Sequence, residues 1–221
     1  MSKLATTTPE GNPRLFKREE IKASLMQMSY GQREKGTKEQ LKKDLQTQYT
    51  DEVYRVYMKA VNKVLPGFLD VMNNINDLWN GEWESVSWVM PDGFKVTCKP
   101  ISSVWGEFTV ADRKIKAKVT GVQKVESALI LYVNIIHSVD AYAMRRIITR
   151  AEYDILTIHD ATRCHANHAR DAKQAYRNVL AEINDSNLLE DILTQIAGEQ
   201  VTIEAGSLKS EDIRKAKYAL C

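Results

Sequence analysis

Four side chains with chemistry to offer fall at four-residue steps near the start of the chain. They are Arg18, Lys22, Met26 and Tyr30, within REEIKASLMQMSYG at 18–31. On a helix this spacing stacks them along one stripe. Two cations, a thioether and a phenol suit a buried core poorly. A guanidinium fork and a compact ammonium one turn apart suit a polyphosphate, leaving Met26 and Tyr30 for the sugar and base end of a nucleotide. The same spacing also fits a boundary helix whose Lys and Arg snorkel to water, and spacing alone leaves both open. A second stretch, YDILTIHDATRCH at 153–165, climbs through a short apolar run to His159-Asp160 and then turns polar. An aspartate at a strand end either starts a turn or holds a metal ion. The dipeptide does not decide between them. Cys164, His165 and His168 follow closely, three zinc-type ligands without the fourth that a structural zinc site requires.

The elements that must position these groups show in the periodicity. Leu15, Ile21, Leu25 and Met28 recur at three- and four-residue steps or their multiples, which predicts an amphipathic helix from Leu15 to Met28, with Gly31 and Gly36 bracketing its end. Helices are expected at about 37–49 and 50–65, then, after the break at Pro66-Gly67, on to about Trp79. Val86–Met90 and Phe94–Thr97 flank Pro91-Asp92-Gly93 and read as a β-hairpin. One more strand is expected at Phe108–Val119, and helical spacing returns from about Ser127 to Ala151. A strand at 153–159, a turn, a short second strand and helices near 169–184 and 187–197 complete the pattern. Helical ends around a β-containing middle predict a helix-rich, mixed α/β (α+β) architecture with a boundary near residue 80.

The chain has 221 residues, 43% hydrophobic and 27% charged, the profile of an ordinary soluble protein with a sizeable core. No apolar run reaches the length of a membrane span, and MSKLATTTPEGNPR has no apolar centre of the kind a secretory signal needs. Cys98, Cys164 and Cys221 are odd in number and far apart, so a reducing cytoplasm is the expected setting rather than a disulfide framework. A net charge of +2 does not by itself mark a nucleic-acid binder, although Lys and Arg are dense across 14–43.

The pattern R-x3-K-x7-YG, met by Arg18, Lys22, Tyr30 and Gly31, resembles motif B of the fingers helix in family A DNA polymerases and single-subunit, phage-type RNA polymerases. Trp88–Phe94 is similar to the W-x-x-P-x-G-F hairpin of the phage-type RNA polymerases, and His137-Ser138-Val139-Asp140 to their HSxD segment. Ile158-His159-Asp160 resembles motif C, and DIRKAKYALC is similar in character to the family's C-terminal tail. Order and separation together are far more specific than any one motif. Met26, where the DNA enzymes usually carry a bulky aromatic, and Ala161, where they usually carry Glu, side with RNA synthesis, as does HSxD. Ala161-Thr162-Arg163 departs from the family's Ser-Phe-Gly at the motif C turn.

The resemblance implies the C-terminal fingers and palm portion of a right-hand polymerase fold. Residues 1–13, with Thr, Pro and Gly and little to bury, read as a loose arm, and the resemblance makes 14–80 a helical fingers part with motif B and 81–221 a palm part. It implies that Arg18 and Lys22 bind the triphosphate, with Lys22 also a proton donor to pyrophosphate. Met26 and Tyr30 face the nucleotide, Tyr30 sensing the ribose 2′-hydroxyl, and Gly31 gives the template room. His137 reaches the minor-groove side of the nascent pair or the sugar, Asp160 coordinates two Mg²⁺ ions, and His159 steadies the metal loop or the RNA 3′ end. His137 and His159 also fit purely structural roles. The reaction needs a second aspartate, which the family carries in motif A, and the 17 residues before Arg18 contain no Asp. The expectation is therefore one subunit of a split, heterodimeric phage RNA polymerase, not an excised fragment: Met1, the arm before Arg14 and the family-like ending all favour it. Its partners would be a second subunit carrying motif A, joined through a large obligate interface, with DNA template, nascent RNA and ribonucleoside triphosphates. There is room for a template-delivery factor and no membrane role. The alternatives are a fragment of a family A-like DNA polymerase and a non-catalytic nucleic-acid-binding module of polymerase architecture.

Overall fold

The computed structural model describes residues 5–7, 13–15, 17–46, 48, 50–81, 83–99, 101–122, 129–159, 161–204 and 206–217. They form two compact units, Met1–Trp79 and Asn80–Cys221, and the whole is a helix-rich α+β chain with small antiparallel sheets. No helix among the described residues is long and apolar enough to cross a membrane.

From the segment expected as a loose arm, β1 (Ala5–Thr7) pairs antiparallel with β2 (Pro13–Leu15), which begins where that segment ends. The first helix, α1, runs Arg18–Ser29 instead of starting at Leu15. Lys17 is extended, with φ −76° and ψ 156°. The carboxylate of Glu20 accepts its backbone N–H at 2.9 Å, the half of a capping box that a glutamate at the third helical position supplies. Then come α2 (Glu34–Leu45), α3 (Thr50–Val64) and α4 (Phe68–Asp77). Gly36, expected to bracket a helix end, sits inside α2, where the Gln32 side chain fills the space a β-carbon would need. Met28, Leu41, Leu45, Tyr57 and Val61 are the buried centre of this unit, with Ile21, Leu25, Val53, Tyr54, Met58 and Phe68 packed against them. These are the inward faces of α1, α2 and α3, so helix amphipathicity is what assembles the unit.

The second unit opens with the expected hairpin, β3 (Val86–Val89) paired with β4 (Lys95–Cys98). Gly93 turns it with φ +82°, and its N–H reaches the Met90 carbonyl at 2.8 Å. The strand expected at Phe108–Val119 is instead two strands, β5 (Ile101–Val110) and β6 (Arg113–Val122), in a ten-pair ladder. Ala111 and Asp112 turn the chain, both left-handed at φ 48° and 60°. A two-residue hairpin turn needs that conformation, but Ala-Asp lacks the Asn or Gly that announces it, so the sequence reads as one continuous strand. Helix α5 (Leu129–Arg150) follows, then β7 (Ile155–Ile158) and β8 (Ala161–Cys164), paired antiparallel. Helices α6 (Ala169–Asp185), α7 (Leu188–Ala197) and the short α8 (Ser210–Lys215) end the described chain. Ala143, Met144 and Ile147 of α5 pack with Val179 of α6, and Ile155 leans on them. That contact fixes the root of the β7–β8 hairpin.

Candidate active site

On α1 the outward stripe is the one the spacing predicts. Arg18 and Lys22 are exposed, Met26 is 49% and Tyr30 38% exposed, while Ser24 and Met28 are buried on the other side. Exposure keeps these charged side chains in contact with water. Tyr30 is the helix cap, and Gly31 takes φ +84°. The Gly31 N–H donates to the Met28 carbonyl at 2.9 Å and the Gln32 N–H to the Gln27 carbonyl at 3.0 Å. This pair of bonds is a Schellman motif, in which the residue after the cap must be left-handed. The Tyr-Gly pair therefore has a local reason: the glycine ends the helix, and the tyrosine stands at its exposed end.

In the second unit, segments 50 residues apart in sequence come together. The buried Trp88 indole N–H donates to Ser138 Oγ at 3.2 Å, and Ser138 in turn donates to the Ile135 carbonyl at 2.7 Å. At the hairpin tip Arg145 holds Asp92 through Nε at 2.5 Å and Nη2 at 3.2 Å, and its guanidinium lies 4.4 Å from the centre of the Phe94 ring. The hydrogen bond from Arg145 keeps the Asp92 carboxyl below its ordinary value. Gln195 of α7 gives and takes a backbone-like pair with Val89, at 2.8 and 3.1 Å. The Trp88–Phe94 hairpin is thereby fastened to the helix that carries His137, and His137 itself is exposed beside the buried Ser138.

The β7–β8 connection is two residues long, since Ile158 pairs with Ala161. His159, the first of them, is exposed and left-handed at φ 56°. Asp160, the second, lies outside the described residues. Leu156 and Ile158 project from the hairpin 60% and 42% exposed, whereas Ile155 and Thr157 on the other face are half-buried. Arg18, Lys22, Met26, Tyr30 and Gly31 belong to the first unit; His137, His159 and the position of Asp160 belong to the second.

Cys164, His165 and His168 do not gather. No group of three His, Cys, Asp or Glu side chains among the described residues could hold a metal ion. His168 stacks flat on Tyr153, centroids 4.6 Å apart, and approaches Asp171 at 3.8 Å. His165 Nδ1 accepts the Asn167 N–H at 3.5 Å. Nothing in a linear pattern pairs residues 50 and 53 positions apart, so the Trp88–Ser138 and Asp92–Arg145 ties are not legible in the sequence.

The chain matches no protein-family model and no curated protein sequence.

Proposed function

We propose that this chain is a subunit of a DNA-directed RNA polymerase of the right-hand fold, contributing the nucleotide-binding helix and one metal-binding carboxylate. The observation that carries the reading is the α1 face: Arg18, Lys22, Met26 and Tyr30 exposed along one stripe of a helix whose opposite face builds the core. In this reading Arg18 forks onto the triphosphate, and Lys22 neutralises it and hands a proton to pyrophosphate. Met26 and Tyr30 take the sugar and base, with Gly31 leaving space for the template strand. His137, on a helix anchored through Ser138, meets the nascent pair, and His159 the RNA 3′ end. Asp160, a hard oxygen ligand of the kind Mg²⁺ prefers, would hold two ions jointly with an aspartate of a partner chain. When bound, such a pair makes the 3′-hydroxyl a better nucleophile and offsets charge on the phosphates.

The partner chain is part of the proposal. The exposed apolar pair Leu156 and Ile158 flanks the motif C turn and suits burial under a neighbouring strand. Cytoplasmic action on DNA template, with nascent RNA and ribonucleoside triphosphates, follows from the same reading. The test is template-directed nucleotide incorporation by this chain with the chain that co-purifies with it. Ribonucleotides should be used in strong preference to deoxynucleotides, and Met26→Phe should change that ratio. Efficient deoxynucleotide use by the unaltered pair would instead favour a DNA polymerase.

A further inference from the structure

The β5–β6 ribbon has two chemically distinct faces. On one, Gly106, Phe108 and Val110 stand opposite Ala117, Ile115 and Arg113. Phe108 lies over Gly106, so that a β-carbon there would meet its ring at 2.9 Å. On the other, Trp105, Glu107 and Thr109 stand opposite Lys118, Lys116 and Lys114. Trp105 is 68% exposed, the most exposed large apolar side chain of the described residues, and all three lysines are exposed. Glu107 engages Lys116 alone, at 3.2 Å. No described residue forms an ion pair with Lys114 or Lys118. Alternate residues of a strand lie about 7 Å apart on one side, so Lys114, Lys116 and Lys118 share one face of β6, with Trp105 directly across from Lys118.

A row of cations tracks a phosphate backbone, and an exposed aromatic beside it offers a base a surface to stack on; together they are the pattern of single-strand nucleic-acid binding. We propose that the Trp105, Lys114 and Lys118 face of the ribbon binds single-stranded nucleic acid without regard to sequence. This goes beyond the active-site reading and does not rest on it, since no metal, triphosphate or partner chain takes part. A lone lysine run on a surface strand usually only keeps the strand solvated. What distinguishes this face is that the most exposed indole stands beside three lysines, whereas the other face pairs apolar side chains with a single cation, Arg113.

The experiment is fluorescence anisotropy of labelled dT20 with the full chain, without Mg²⁺, at about 50 and 200 mM salt. Trp105→Ala should weaken binding about tenfold. Lys114→Thr with Lys118→Thr should weaken it at least as much and reduce the magnitude of the log–log salt slope by about 1.4, the share of two phosphates on a single strand. Lys114→Arg with Lys118→Arg should bind as the unaltered chain does, which separates loss of charge from loss of fold. Failure of the unaltered chain to bind dT20, unchanged binding in the alanine and threonine variants, or tighter binding of a 20-base-pair duplex would overturn the proposal. So would loss of binding in Arg18→Ala with Lys22→Ala when the ribbon variants still bind.

Discussion

Ser138→Ala deletes one oxygen and should cost far more than its size suggests. Trp88 is 1% exposed and Ser138 5%, and the indole N–H has the serine hydroxyl as its acceptor at 3.2 Å. Without it the N–H stays buried with its hydrogen bond unmade, a loss of about 1–3 kcal/mol. In a chain of this size 1 kcal/mol moves the thermal midpoint by about 2–4 °C, so a mid-range loss of about 2 kcal/mol lowers it by about 4–8 °C. The near-ultraviolet circular dichroism difference from the unaltered chain reports a change in aromatic packing, Trp88 included, and urea unfolding gives the free energy. The decisive arm is a double-mutant cycle with Trp88→Phe, which removes the donor. With the donor gone, Ser138→Ala should cost about 1 kcal/mol less than it does alone. A midpoint unchanged by Ser138→Ala, or strictly additive costs, would refute the idea that this bond fastens the hairpin to α5.

Three further outcomes follow from local geometry. Gly31→Ala forces a β-carbon into a left-handed position at φ +84° and should destabilise the first unit by about 1–2 kcal/mol, read by urea denaturation. Replacing Ala111-Asp112 with Asn-Gly supplies the residues that the left-handed turn at φ 48° and 60° favours and should stabilise the ribbon by about 1 kcal/mol, seen as slower hydrogen exchange along β5 and β6. Asp92 has its carboxyl lowered by Arg145, so the unfolded chain takes up its proton first as pH falls. The stability this contributes is present above the ordinary carboxylate value of about 4 and lost as pH drops through the lowered one. Asp92→Asn should therefore flatten the acid limb of the stability–pH curve, and a limb of unchanged steepness would speak against the pairing.

Where local rules act alone, the fold is legible in the sequence. Pro66-Gly67 and Pro91-Asp92-Gly93 break the pattern where the chain turns, and the outward stripe of α1 follows from four-residue spacing. The start of α1 was misread because Lys17, a residue with no capping preference, stands at the cap, and the signal is the glutamate three residues on. The Ala111-Asp112 turn was hidden because its residues adopt a conformation they do not favour by themselves. In the candidate site, residue types and motif order pointed to Arg18, Lys22, Met26, Tyr30, His137 and Asp160, but what anchors the His137 helix was not visible. A tryptophan and a serine 50 residues apart carry no mark of each other until the chain folds.

The most direct measurement is RNA synthesis on single-stranded DNA with Mg²⁺, by this chain alone, with its co-purifying partner, and with Asp160→Asn in place of the unaltered chain. A split polymerase with motif C on this chain gives product only in the mixture, and none with Asp160→Asn. Full activity with Asp160→Asn, or no synthesis from a tight and correctly assembled pair, contradicts it.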